Sequence, residues 1–168
     1  MATNSKPSGE ELRTLADEAK TARARISTGK GDIVFTFYPD DAPLHSAAFI
    51  KLARAGFYDG LSFHRYEPGF VIQGGDPSGN GTGGPGYNLE AEFNERPHIQ
   101  GTVAMARSAN PNSAGSQFYI CLADAPFLNR QYTVFGHVVE GQHVVDHIRA
   151  GDVMSKVTIE DGDKGGNG

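Results

Sequence analysis

The chain contains no tryptophan and a single cysteine in 168 residues. Cys121 alone cannot close an intrachain disulfide, so burial and hydrogen bonding must hold the fold. No run approaches the roughly eighteen continuous apolar residues of a membrane span. The opening segment, MATNSKPSGEELRTLADEAK, lacks the apolar centre of a secretory signal. A reducing, cytoplasmic setting without a membrane partner is therefore expected. Basic residues are also scarce: 15 Lys and Arg against 20 Asp and Glu give a net charge of −5. That balance argues against a general nucleic-acid binder, which needs a concentrated basic surface. The one basic cluster, Lys20, Arg23, Arg25 and Lys30, reads as a solvated edge.

What is present is patterning. Ser8-Gly9-Glu10-Glu11 has capping-box form, and Leu12, Leu15, Ala16 and Ala19 follow at helical spacing, predicting a helix from Gly9 to about Ala22. This N-terminal extension, 1–23, has three possible fates: docking on the rest, pairing with a partner, or fraying. Residues 24–160 then form one domain. Alternating apolar residues predict strands over 31–38, 61–66, 101–106, 117–122, 132–139 and 153–159. Helices are predicted from Asp41 as N-cap to Gly56, and over 141–150. The polar, glycine-rich residues 161–168 read as a disordered tail. Short strands without strand-helix alternation point to an all-β dominated antiparallel barrel.

Phe63 to Asp76, reading FHRYEPGFVIQGGD, is the richest stretch. If 70–73 is extended, Val71 and Gln73 share one face, with Phe70 and Ile72 on the other. Gln117 and Tyr119 repeat the device, with Phe118, Ile120 and Leu122 opposite. Two strands each offering an amide beside an apolar side chain suggest a small polar-apolar groove, with Arg65 as its fixed charge. Several other patterns carry less. His64, opposite Arg65 in parity, reads as a satisfied core histidine. His143 and His147 lie four apart on a helix, but without a third ligand no metal is expected. Gly79 to Gly84 matches GxGxxG without the strand and helix that motif needs, and reads as a mobile loop. Glu90, Glu92 and Glu95 read as a solvated acidic loop.

The FHRxxPGFxxQGGD stretch, Met105 to Arg107 (MAR), Gly115 to Ile120 (GSQFYI) and Phe127 to Gly136 (FLNRQYTVFG) together resemble cyclophilin-type peptidyl-prolyl cis-trans isomerases, particularly bacterial single-domain members. The resemblance runs from about Ile26 to Ile159. It implies a closed eight-stranded antiparallel β-barrel capped by two α-helices, to which this chain adds its N-terminal helix. It further implies a monomer that needs no cofactor and acts on X-Pro bonds of proline-containing peptides and unfolded proteins. Arg65 takes the catalytic position. Phe70, Val71, Tyr119 and Leu128 take proline-pocket positions, with Gln73, Ala106, Arg107, Gln117, Phe127 and Tyr132 lining the rest. Phe127 replaces a tryptophan of the better-known animal pattern, so an indole N–H is lost and weakened cyclosporin affinity is expected. A non-catalytic proline-peptide binding module remains the alternative, as does a docking platform organised by the N-terminal helix.

Overall fold

A computed structural model describes residues 5–161. Asp161, placed above in the disordered tail, ends the last strand; the rest of that tail, 162–168, lies outside the described residues. Eight strands form one sheet: β1 (Ala22–Thr28), β2 (Gly31–Phe37), β3 (Arg65–Glu67), β4 (Val71–Gly74), β5 (Thr102–Met105), β6 (Phe118–Cys121), β7 (Val134–Glu140) and β8 (Met154–Asp161). Their order is β3-β4-β6-β5-β7-β2-β1-β8, with every pairing antiparallel. Three α-helices accompany them, α1 (Gly9–Glu18), α2 (Pro43–Arg54) and α3 (Gln142–His147), with a 3-10 turn at Pro126–Leu128. Among the described residues no helix is long and apolar enough to cross a membrane.

The sheet is an open half-barrel, which corrects the expected closed one. No ladder joins the edge strands β3 and β8. The seam holds an isolated bridge, Ser62 to Val153, with Met154 N–H donating to Leu61 O at 2.7 Å and Phe63 N–H to Asp152 O at 2.8 Å. The physical reason lies in the strand expected over 61–66. The turn at Pro68-Gly69 folds only three residues into β3, and the residues before it bond irregularly to the run into β8.

Strand β1 is missing from the sequence expectation because its inward residues Ala22, Ala24 and Ile26 are mostly alanine, a weak apolar signal. Its start at Ala22 also ends α1 at Glu18 rather than near Ala22. Ser8 is the N-cap but makes no side-chain cap bond, so the capping box does not form. Of the three fates open to the extension, the structure has it docked. Ala19 is buried, Leu15 packs on the core, Arg54 of α2 pairs with Glu18, and Lys51 with Glu11 at 3.1 Å.

Inside, Phe35 of β2, Phe49 of α2, Tyr58, Phe118 of β6 and Phe135 of β7 meet with centroids 4.8–6.0 Å apart. Each such side chain contributes about 1.5–3 kcal/mol by leaving water. The interior is thus filled, and any binding groove must lie on the outer wall. A second, smaller apolar cluster on that wall contains Val71, Ala104, Tyr119, Cys121 and Val134.

Candidate active site on the outer wall

Strand register assembles the site. Across β3, β4, β6, β5 and β7 the paired positions are Arg65 with Gln73, Gln73 with Tyr119, Tyr119 with Ala104, and Ala104 with Val134. Directly paired residues share a face. Arg65 and Gln73 therefore stand beside the outer apolar cluster although they come from different strands. Phe118 and Ile120 take the opposite face and enter the core. At the end of β4, Gly75 has φ +92°, and a Cβ there would sit 2.5 Å from Ser116 O, so only glycine lets β4 leave the sheet this close to the β6 side.

A cavity of about 250 Å³ opens on this face, lined by Arg65, Phe70, Val71, Gln73, Ala106, Arg107, Tyr119, Leu128 and Tyr132. Gln117 lines an adjoining cavity of about 470 Å³, which shares Gln73, Ala106 and Arg107 with the first. Phe127 stands at the rim, 66 % exposed, its ring stacked on Phe70 at 5.7 Å. Phe70 corrects the parity expectation. It precedes β4, and Gly69 at φ +69° lets the chain turn there, so Phe70 packs with the outer cluster rather than beside Ile72 in the core.

Polar groups form a directed chain. Arg65 Nη1 donates to Gln73 Oε1 at 3.2 Å, Gln73 Nε2 to Gln117 Oε1 at 3.1 Å, and Gln117 Nε2 to Gly83 O at 2.9 Å. Guanidinium is donor-only, so it fixes the orientation of both amides in turn. Glu67 lies 3.5 Å from Arg65 Nε. Arg65 is not the only fixed charge. Arg107 lines both cavities, donates from Nε and Nη2 to Gln131 O, and lies 4.7 Å over the Tyr132 ring.

The loop after Asp76, read as mobile from its glycines, is tied down. The buried Asp76 carboxylate accepts the N–H groups of Ser78, Asn80 and Gly81, which hold its pKa below the usual range against the opposing effect of burial. This loop delivers Gly83 to Gln117.

His98 is a site residue the sequence does not reveal. It is buried behind the pocket, with Nε2 2.7 Å from Tyr119 Oη and Nδ1 3.2 Å from Asn129 Oδ1. Asn129 Oδ1 also accepts the His98 backbone N–H at 2.7 Å, so it is the acceptor. The network thus assigns the proton to Nδ1 and leaves Nε2 to accept from the tyrosine. Burial pushes the His98 pKa down and the Tyr119 pKa up, which keeps both groups neutral. No periodicity links positions so far apart in sequence.

Other expectations need correction. His64 is half-buried rather than a satisfied core residue; its Nδ1 is buried with no hydrogen-bond partner among the described residues, and burial lowers its pKa. Glu92 is not part of a solvated loop. Its carboxylate accepts the N–H groups of Leu44 and His45 at 3.0 and 2.8 Å, so it caps α2, whose N-cap is Ala42 rather than Asp41. His147 Nδ1 bonds to His143 O at 2.6 Å, and no metal-holding group of three or more His, Cys, Asp or Glu exists among the described residues.

Known proteins resemble this chain in sequence and fold. A sequence profile of the family described as "Cyclophilin type peptidyl-prolyl cis-trans isomerase/CLD" matches residues 23–163. A peptidyl-prolyl cis-trans isomerase of Helicobacter pylori is 46% identical over 145 residues, covering 84% of this chain and 88% of its own. A probable peptidyl-prolyl cis-trans isomerase of Brucella abortus is 48% identical over 166 residues, covering 92% and 84%. Among solved structures, a cyclophilin type isomerase of Cryptosporidium parvum, determined in the presence of the dipeptide Ala-Pro, superposes with a TM-score of 0.76 at 30% identity, over 82% of this chain and 98% of its own. The profile covers all eight strands but for Ala22, together with the outer-wall site, and the relatives align along most of their length, so the chain belongs to the cyclophilin-type peptidyl-prolyl cis-trans isomerases.

Proposed function

We propose that this enzyme turns over X-Pro bonds in unfolded or flexible chains by binding the twisted amide more tightly than either planar isomer, with Arg65 supplying the difference. Amide resonance sets a barrier of roughly 18–20 kcal/mol. Bringing an exchange of tens of seconds to a turnover of roughly 10–1,000 per second takes about 4–7 kcal/mol. No bond is made or cleaved, so neither nucleophile nor cofactor is required. As the C–N bond twists, the prolyl nitrogen becomes a hydrogen-bond acceptor. A guanidinium aimed at it stabilises the transition state and little else.

The observation that carries this reading is Arg65 held by Gln73 at 3.2 Å in a mixed polar-apolar cavity, opposite an apolar wall of Phe70, Val71, Tyr119 and Leu128. The cavity suits a pyrrolidine ring while the preceding carbonyl rotates. One Nη1–H goes to Gln73 and Nε faces Glu67 at 3.5 Å, which leaves the other N–H groups for the substrate. The Ala-Pro dipeptide used with the Cryptosporidium relative supports proline-containing peptides as the substrate class. Assistance to folding follows from the same activity, because X-Pro isomerisation is slow enough to limit folding. The Phe127 side chain has no N–H and stands exposed, which supports weakened cyclosporin affinity.

The test is cis-to-trans conversion of a short Ala-Pro peptide by wild type and by Arg65→Ala, with circular dichroism checking that both fold. The expected result is acceleration by wild type and at least about a tenfold loss in the variant, or some 1.4 kcal/mol of transition-state stabilisation. A folded wild type that binds the peptide without accelerating its conversion is a binding module, and the reading fails.

A further inference from the structure

The two cavities of the outer wall meet at Gln73, Ala106 and Arg107. Their charged lining residues are Arg65 and Arg107, with no carboxylate, in a chain whose net charge is −5. Glu67 pairs with Arg65 itself, and the remaining carboxylates are committed away from Arg107: Glu90 to Lys6, Glu92 to the start of α2, Glu95 to Arg130, and Asp76 to its own loop. Arg107 has no ion-pair partner among the described residues. Its hydrogen bonds go to backbone carbonyls: Nε and Nη2 to Gln131 O at 3.0 and 2.8 Å, Nη1 to Ser108 O and Ala109 O at 2.9 and 3.4 Å. These use Nε–H, both Nη1 hydrogens and one on Nη2, so one N–H of the five remains.

The result is a positive charge held rigidly, uncompensated, on the border between a proline-sized cavity and a larger polar one. Carbonyl bonds fix the guanidinium without cancelling its charge, so a substrate anion need not order the side chain first. The O–H groups of Thr82, Ser108 and Ser113 in the larger cavity already donate to Asn80 Oδ1, Ser113 Oγ and Asn110 O, which leaves Arg107 as its charged donor. An extended peptide advances about 3.3 Å per residue. With the proline ring in the smaller cavity, a residue one or two positions away therefore reaches the larger.

We propose that Arg107 makes this groove select X-Pro segments that carry an aspartate or glutamate two residues before or after the proline. The inference deepens the isomerase reading and rests on it. It assigns a substrate class that the proline pocket alone does not determine. Partial shielding by the cavity walls lets one charge pair alter recognition measurably, and added salt weakens it.

The experiment is exchange NMR, which needs no coupling protease, on acetylated and amidated peptides with Glu, Gln or Lys two residues before the proline, and on a second series with the same residues two after it. In at least one series kcat/KM is expected to run Glu over Gln over Lys, with Glu ahead of Gln by about threefold or more at low salt. The advantage shrinks toward unity at roughly 1 M salt, where screening acts within about 3 Å. Arg107→Gln abolishes the Glu-to-Gln ratio whatever it does to the Gln peptide, and Arg107→Lys restores part of it. Equal turnover of the three peptides in both series, or a ratio that survives Arg107→Gln, overturns the proposal while leaving the isomerase reading intact. Failure to accelerate the Gln peptides at all overturns that reading instead.

Discussion

His98 reaches the outer wall through buried polar bonds to Tyr119 and Asn129. Neutral, it accepts the Tyr119 hydroxyl and donates to Asn129; protonated, it cannot accept. Burial lowers the pKa of His98, and also of His64 and His137. Their folded-state values therefore lie below the unfolded value near 6.5, and the unfolded chain binds more protons as the pH drops past it. The stability they contribute is complete above about pH 7 and is lost as the pH falls. The carboxylates lowered in the fold, such as Asp76, act in the same direction but only in more acidic solution. Urea midpoints at pH 7.5, 6.5 and 5.5 are accordingly expected to decline. A flat or rising series would contradict neutral buried histidines. None of this is legible in sequence, because His98 meets Tyr119 only once β6 is paired into the sheet. The shared outer face of Val71, Gln73 and Tyr119 is legible, since β4 and β6 alternate cleanly.

At the scale of elements, α2 shows how a loop can decide a helix. Its N-terminal N–H groups receive no cap from Ala42, and Glu92, far along the chain, supplies the carboxylate. An anion there also meets the positive end of the helix dipole. Replacing Glu92 with Ala leaves the Leu44 and His45 N–H groups and His45 Nδ1 without that acceptor. The expected cost is about 1–3 kcal/mol in urea unfolding, with Gln recovering part of it. A change under about 0.3 kcal/mol would mean that water serves the helix end as well, a cap then contributing less than its usual share. Sequence reading places the helix but assigns its cap to Asp41, because it can see neighbours in the chain and not across it. Strand β1 escapes for a different reason: alanine fills its inward positions, and its arginines pair outward with Glu140, Asp32 and Glu160.

For the molecule as a whole, the filled aromatic interior and the outer-wall site are two faces of the same strands. β4 and β6 send Ile72, Phe118 and Ile120 inward and Val71, Gln73 and Tyr119 outward. The alternation was readable, and so was the family. The open seam was not, because closure depends on how far β3 extends beyond its turn. The role proposed for Arg65 is to act on the twisted amide rather than on the resting peptide. Its most direct test measures, for folded wild type and Arg65→Ala, both the Kd of an Ala-Pro peptide and the exchange rate of the bound peptide by NMR. The expected result is a Kd changed by no more than about threefold while the bound exchange rate falls at least about tenfold. A Kd weakened as much as the turnover, with exchange in the bound state preserved, would contradict it and make Arg65 a binding residue.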